Sequence, residues 1–215
     1  MKRMRLWMVG LSLWFLSLVA HAASLFVEAE SFAQKGGWVV DQQFMDQMGS
    51  PYLLAHGMGE PVEDAITEVT FPVVGDYYVY VRTYNWTAPW RSAAGPGQFS
   101  LLVDGQPMAS PLGAEGTAWM WQAAGKVSID QQRKTLCLRD LTGFDGRCDA
   151  IYFTTDADDV PPTDLAALDA FRRKALGMPE TVPLKGSYDL VVVGGGVAGI
   201  SAAVSAARLG CRVAL

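Results

Sequence analysis

The chain has 215 residues, of which 50% are hydrophobic and only 18% charged, with a formal net charge of −5. Setting aside the +3 carried by Lys2, Arg3 and Arg5 leaves −8 on the remainder, because −5 minus +3 is −8. That balance argues against nucleic acid or an anionic membrane surface as partner.

Residues 1–22 read as a secretory signal peptide. Lys2, Arg3 and Arg5 form a basic start, Leu6 to Ala20 is an apolar run of 15, and Ala20-His21-Ala22 fits small-x-small cleavage. A spanning helix needs about 20 apolar residues, so no stable membrane anchor is expected after cleavage. Lys2-Arg3-Met4-Arg5 is not a twin-arginine pair, so export of a prefolded, cofactor-loaded enzyme is not indicated. The expected location is exported, periplasmic or secreted.

Residues 24–156 read as one all-β unit, long enough for a real core. Short runs rich in Val, Tyr, Phe and Thr alternate with Gly, Pro and Asp turns. The spacing predicts strands over 25–29, 65–71, 76–84, 97–103, 126–129, 135–139 and 150–154. Asp104-Gly105 and Asp145-Gly146 read as hairpin turns. No long helix and no internal repeat is visible in this unit.

Four segments carry a likeness: Phe26-Val-Glu-Ala-Glu-Ser-Phe, Val74-Gly-Asp-Tyr-Tyr-Val-Tyr-Val-Arg, Phe99-Ser-Leu-Leu-Val-Asp-Gly and Cys148-Asp-Ala-Ile-Tyr-Phe. In order and spacing they resemble the calcium-dependent jelly-roll carbohydrate-binding modules. The resemblance implies a β-sandwich, a glycan partner and a structural calcium held by Glu28, Glu30 and Asp149. Residues i and i+2 of a strand share a face, so Glu28 and Glu30 would converge on one hard cation. The competing reading is a solvated strand face without metal, since calcium takes about six to eight oxygens and only three side chains are identified.

Sugar recognition in such modules uses exposed loop aromatics. Trp86 and Trp90 lie in Asn85-Trp-Thr-Ala-Pro-Trp-Arg-Ser, a loop after a strand, with Asn85 or Arg91 as directional hydrogen-bonding groups. Trp119 and Trp121 share a strand face and read as core. Core packing is also the alternative for Trp86 and Trp90. His56 is the only histidine outside the leader, so a histidine-based metal site or triad cannot be completed. Cys137 and Cys148 flank the Gly143 to Gly146 turn and are either paired across a hairpin or two buried thiols.

Residues 157–187 read as a linker with a helix over 163–176. Thr163 is its N-cap, Asp164 suits the first turn, and Leu165, Leu168, Phe171, Ala175 and Leu176 form one apolar stripe. Arg172, Arg173 and Lys174 read as helix-end charge, and Gly177 stops the helix. The helix is expected to dock on one of its two neighbours.

Residues 188–215 read as strand, glycine turn, helix and second strand. Leu190 to Val193 is an unbroken apolar run, and Gly194, Gly196 and Gly199 fit G-x-G-x-x-G. Gly194 would permit the turn, Gly196 the close approach of a pyrophosphate, and Gly199 the packing of helix on strand. Ile200, Ala203, Val204 and Ala207 recur at helical spacing, Gly210 stops the helix, and Cys211 begins a strand as a core residue.

Tyr188-Asp-Leu-Val-Val-Val-Gly-Gly-Gly-Val-Ala-Gly-Ile-Ser-Ala-Ala and the following Ala-Ala-Arg-Leu-Gly-Cys-Arg-Val-Ala-Leu resemble the FAD-binding start of flavoprotein oxidoreductases. The resemblance implies FAD held by Gly194, Gly195, Gly196, Val197, Ala198 and Gly199. The ribose-binding acid falls at or beyond Leu215, so the chain reads as the front part of a longer protein or a truncated frame, with no catalytic residue to name.

The fold expected is therefore an all-β jelly-roll (β-sandwich) domain, a linker helix and the first βαβ unit of a truncated Rossmann-like α/β FAD-binding domain. The function expected is the N-terminal part of an exported FAD-dependent oxidoreductase, acting on a small-molecule or glycan substrate. The alternatives are a glycan-binding module with a non-functional Rossmann remnant, or an NAD-dependent dehydrogenase.

Overall fold

The computed structural model describes residues 22–90, 94–179, 181 and 186–215. The signal-peptide reading up to His21, and Arg91, lie outside the described residues. Among the described residues no helix is long and apolar enough to cross a membrane. The chain divides into two compact units, the first ending at Leu176 and the second running from Gly177 to Leu215.

The first unit is built from β1 (Ser24–Glu28), β2 (Val39–Asp41), the short α1 (Met45–Met48), β3 (Tyr52–Ala55), β4 (Ala65–Thr70), β5 (Gly75–Thr83), β6 (Phe99–Val103), β7 (Gln106–Pro107), β8 (Met120–Ile129), β9 (Arg133–Asp140), β10 (Gly146–Thr154) and α2 (Leu165–Ala175). One sheet runs β2-β3-β10-β5-β8, with β1 also paired to β10; the other runs β4-β9-β6-β7. Every strand pair within them is antiparallel. Strands β4, β5 and β6 alternate between the sheets, and so do β8, β9 and β10. That repeated crossing makes the unit a β-sandwich of jelly-roll type.

Strand alternation decides which side chains enter the core. Tyr77, Val79 and Val81 of β5 face Phe99, Leu101 and Val103 of β6, with Leu136 and Leu138 of β9 and Ile151 and Phe153 of β10 in the same buried cluster. Strand β10 is buried along its whole length, because its outer face is covered as well. Phe26, Trp121, Ala150 and Tyr152 form a second cluster there, with Leu168 and Phe171 of α2. Helix α2 thus packs on the outer face of the larger sheet. Beside it, Trp119 stacks on Tyr84 at 5.4 Å and packs with Tyr52, Leu54 and Met48. Trp119 and Trp121 are both buried.

Several local readings change in three dimensions. Asp104-Gly105 makes the expected hairpin, at φ 48° and 77°, between β6 and β7. Asp145 also has positive φ, but the Asp145-Gly146 turn carries the chain from one sheet to the other and is no hairpin. Cys137 and Cys148 consequently sit on strands of different sheets, and both are buried free thiols. Glu28 and Glu30 do not share a strand face, because β1 ends at Glu28 and residues 29–31 form a 3-10 turn. Strand β8 starts at Met120, six residues before the predicted 126, and a register shift opposite Val79 and Tyr80 breaks the alternation that would have revealed it. Strands β2, β3 and β7 escaped the sequence reading. The first and last are two or three residues long, and β3 is buried throughout, so none shows a period of two.

Helix α2 is capped by Asp164, whose carboxylate accepts from Ala167 N at 3.0 Å, one residue later than the predicted Thr163 cap. Gly177 at φ 63° follows its end. The segment before it is fastened to the sandwich: Trp121 Nε1 donates to Pro162 O at 3.0 Å, and Tyr152 Oη to Asp159 Oδ2 at 2.5 Å.

The second unit contains β11 (Leu190–Val191), α3 (Val197–Arg208) and β12 (Val213–Ala214). Its strands are parallel, with Leu190 opposite Val213 and Val191 opposite Ala214, so this is a right-order β-α-β unit. Val193 is 95% exposed, and Ile200 and Val204 of α3 are also exposed, because two short strands and one helix cannot cover both faces of a sheet. Cys211, expected in a core, is exposed for the same reason.

Candidate functional site

The loop after β5 is built by its own side chains. Asn85 Oδ1 accepts from Thr87 N at 3.2 Å and from Thr87 Oγ1 at 2.9 Å, while Asn85 Nδ2 donates to Ala114 O at 3.2 Å. Trp90 N then bonds Thr87 O at 2.9 Å. Asn85 is buried and spent on this turn, which corrects its reading as a ligand-directed group.

The turn presents two indoles. Trp86 is half-buried, and its Nε1 donates to Phe144 O at 2.9 Å. The Arg147 guanidinium lies 5.7 Å from the Trp86 ring centroid. Trp90 is 75% exposed. The rings are 6.4 Å apart at 67°, so they form a corner. With Thr87, Pro96 and Phe144 they line an open cavity of about 470 Å³ whose walls are almost wholly apolar. Phe144 itself rests against Gly59, where a Cβ would come 3.2 Å from the ring. The next residue, Asp145, meets His56 Nδ1 through Oδ1 and places a polar pair next along the chain.

Sequence reading found Trp86 and Trp90 but missed Phe144 and Pro96. Phe144 lies in Thr142-Gly-Phe-Asp-Gly, and a large aromatic inside such a turn was the available signal. Contact between residues 86 and 144 is set by the sandwich and has no local signature.

The predicted calcium set arranges itself differently. Arg172 of α2 donates Nε to Glu28 Oε1 and Nη2 to Glu28 Oε2, both at 2.9 Å, Nη2 to Asp149 Oδ1 at 2.8 Å, and Nη1 to Met48 O at 2.7 Å. Asp149 is fully buried, and also accepts from Arg82 Nη1 at 2.9 Å and Ser50 Oγ at 3.0 Å. Glu30 stands outside this hydrogen-bond network, with Oε2 buried and without a partner among the described residues. Burial and the neighbouring Glu28 push the Glu30 carboxyl up to about 8. Burial also raises Glu28, outweighing the opposing pull of Arg172. Arg172 moves the other way in charge preference: burial works against its cation, but Asp149 and Glu28 more than offset this and hold it protonated. The geometry decides between these tendencies, since each oxygen of Glu28 accepts from a guanidinium N–H. Among the described residues no group of three or more His, Cys, Asp or Glu side chains is placed to hold a metal. The residues present therefore do not fit a calcium, because all four carboxylate oxygens of Glu28 and Asp149 already accept from guanidinium groups and Glu30 takes no part in their network. Arg172 lies in the last turn of α2, as read, but is buried and spent on these oxygens.

In the second unit Gly194 turns the chain at φ 106°, and Gly196 caps α3 in extended conformation. A Cβ on Gly199 would lie 1.9 Å from Gly194 O, so helix and loop approach as only glycine allows. Among the described residues nothing comes within 4 Å of a Cβ position on Gly194, Gly195 or Gly196, so this turn is open ahead of the 12-residue helix. Val197 and Ala198 form the first turn of α3, where backbone N–H groups lack helical partners. The residues fit the phosphate-binding part of a dinucleotide site. No acidic residue lies between Cys211 and Leu215 to serve a ribose.

No family model matches the chain, and no curated protein matches it. Among solved structures it is similar to the GH26-CBM35 β-(1,4)-mannanase of Podospora anserina, with 19% identity, 65% of this chain and 29% of that chain covered, and a TM-score of 0.47. A family 35 carbohydrate-binding module from Clostridium thermocellum gives 15% identity, 61% and 97% coverage, and a TM-score of 0.47. CBM35 from Paenibacillus barcinonensis gives 17% identity, 61% and 98% coverage, and a TM-score of 0.43. The chain thus spans less than a third of the mannanase length.

Proposed function

We propose that the first unit is a glycan-binding module and that its ligand sits in the corner of Trp86, Trp90 and Phe144. The observation that carries this is an exposed, almost wholly apolar aromatic cavity, held open by a turn whose polar groups are internally satisfied. Pyranose rings offer an apolar C–H face to an aromatic ring, and a few polar groups at the edge fix orientation. The His56–Asp145 pair, next to Phe144 in sequence, supplies such a group. The strand motifs that resemble carbohydrate-binding modules support the same reading. The test is affinity electrophoresis or calorimetry of the chain against a panel of soluble plant, fungal and bacterial polysaccharides. Binding that survives Trp90→Ala unchanged would refute this site.

For the second unit we propose the start of an FAD-binding domain, as part of an exported flavoprotein oxidoreductase. Its support is the parallel β-α-β order together with the open Gly194 to Gly196 turn and the close approach at Gly199. Bound FAD would supply hydride or electron transfer, and the chain's own part is to seat the pyrophosphate on the N-terminus of α3. The measurement is the yellow cofactor released when the natural protein is denatured. Release of NAD without flavin would replace this reading with a dehydrogenase.

A further inference from the structure

We infer that the forked Arg172 guanidinium is the resident cation of the sandwich, occupying the place between Glu28, Asp149 and the Met48 carbonyl and making the module independent of calcium. The inference does not depend on the glycan reading.

Three observations carry it. First, Arg172 is 6% exposed and makes four hydrogen bonds, of 2.7–2.9 Å, to four oxygens from three separate parts of the chain. These are two carboxylate oxygens of Glu28 at the end of β1, one of Asp149 in β10, and the backbone carbonyl at the end of α1. Carboxylate and carbonyl oxygens converging on one point form the donor set of a hard cation. Here a planar fork of N–H donors meets them instead, with a geometry that a point charge would not need.

Second, charge accounting leaves little for a divalent ion. Glu28 and Asp149 contribute two negative charges when ionised, and Arg172 and Arg82 contribute two positive charges, with Arg82 only 2% exposed. Two carboxylates already matched by two guanidinium cations gain little by admitting two further positive charges.

Third, Arg172 is carried by a helix that is itself seated. Leu168 is fully buried and Phe171 packs edge-on against Phe26 at 5.8 Å and Tyr152 at 4.9 Å. The cation is thus delivered by tertiary packing of α2, and the α2 segment becomes a structural part of the sandwich.

The test is thermal unfolding of the 215-residue chain with calcium chloride alone and with a chelator, followed by the same pair for Arg172→Ala. Wild-type Tm is expected to be the same in both. Arg172→Ala is expected to lower Tm by roughly 6–20 °C in chelator. Added calcium is expected to recover part of that loss, because the emptied carboxylates then bind an ion only in the native state. A wild-type chain stabilised by calcium, or an Arg172→Ala chain melting as high as wild type, overturns the inference. Should Arg172→Ala fail to fold, Arg172→Lys keeps one charge but not the fork; its Tm is expected below wild type, and equality would overturn the inference as well.

Discussion

Arg172 grips both oxygens of Glu28 at 2.9 Å across 144 residues of sequence. The first strand of the sandwich and the helix that follows its last strand are therefore held to each other by one side chain. Asp149 completes the link from within β10.

Asp149 is expected to be the most sensitive member of this cluster. It is fully buried and accepts from Arg172, Arg82 and Ser50, so Asp149→Ala leaves two guanidinium groups without their shared partner. The loss is expected to be about 3–5 kcal/mol, the range for breaking a buried pair by removing one partner. Chemical denaturation would measure it. A double-mutant cycle with Arg82→Ala and Arg172→Ala is expected to be non-additive, because both arginines act through one carboxylate.

Trp90 and Trp86 are expected to separate stability from binding. Trp90 is 75% exposed, so Trp90→Ala should change stability by no more than about 0.5 kcal/mol while removing glycan binding. Trp86→Ala deletes the bond to Phe144 O and the packing beside Arg147, and is expected to cost about 1 kcal/mol or more as well. Unfolding curves and polysaccharide titrations on the same samples would check both.

The glycines of the second unit are expected to differ in kind. Gly199→Ala places a Cβ 1.9 Å from Gly194 O and should displace α3 from its loop, visible as lost helical signal and faster amide exchange in residues 197–208. Gly195→Ala and Gly196→Ala meet nothing within 4 Å among the described residues and should leave the fold intact. Under the dinucleotide reading Gly196→Val should nevertheless abolish retention of the yellow cofactor, since the added side chain fills the space in front of the helix.

The cysteines are expected to remain thiols. Cys137 and Cys148 are buried on different sheets, and burial pushes the Cys137 thiol up to about 12, far above the range in which a reactive thiolate forms. Native labelling with iodoacetamide should modify Cys211 alone. Mass spectrometry of unreduced protein should show no bridge between Cys137 and Cys148.

Local order was written plainly in the sequence. The alternation of Tyr77, Val79 and Val81, the Asp104-Gly105 hairpin, the stop at Gly177 and the Gly194 to Gly199 turn each depend on residues a few positions apart, and each formed where its pattern lay. Backbone sterics and the period of side chains suffice for such features. What lay beyond the sequence was which distant elements meet. Asp145-Gly146 has a hairpin composition, yet joins two sheets, because pairing belongs to β10 with β1, β3 and β5. Phe144 becomes the third wall of the aromatic corner only once that crossing brings it to Trp86. The calcium at Glu28, Glu30 and Asp149 was implied by the resemblance of short strand motifs, which carry no information about what packs over them. Folding lays α2 over the outer face and inserts Arg172 between Glu28 and Asp149, and a buried charge takes whichever partner packing delivers to it.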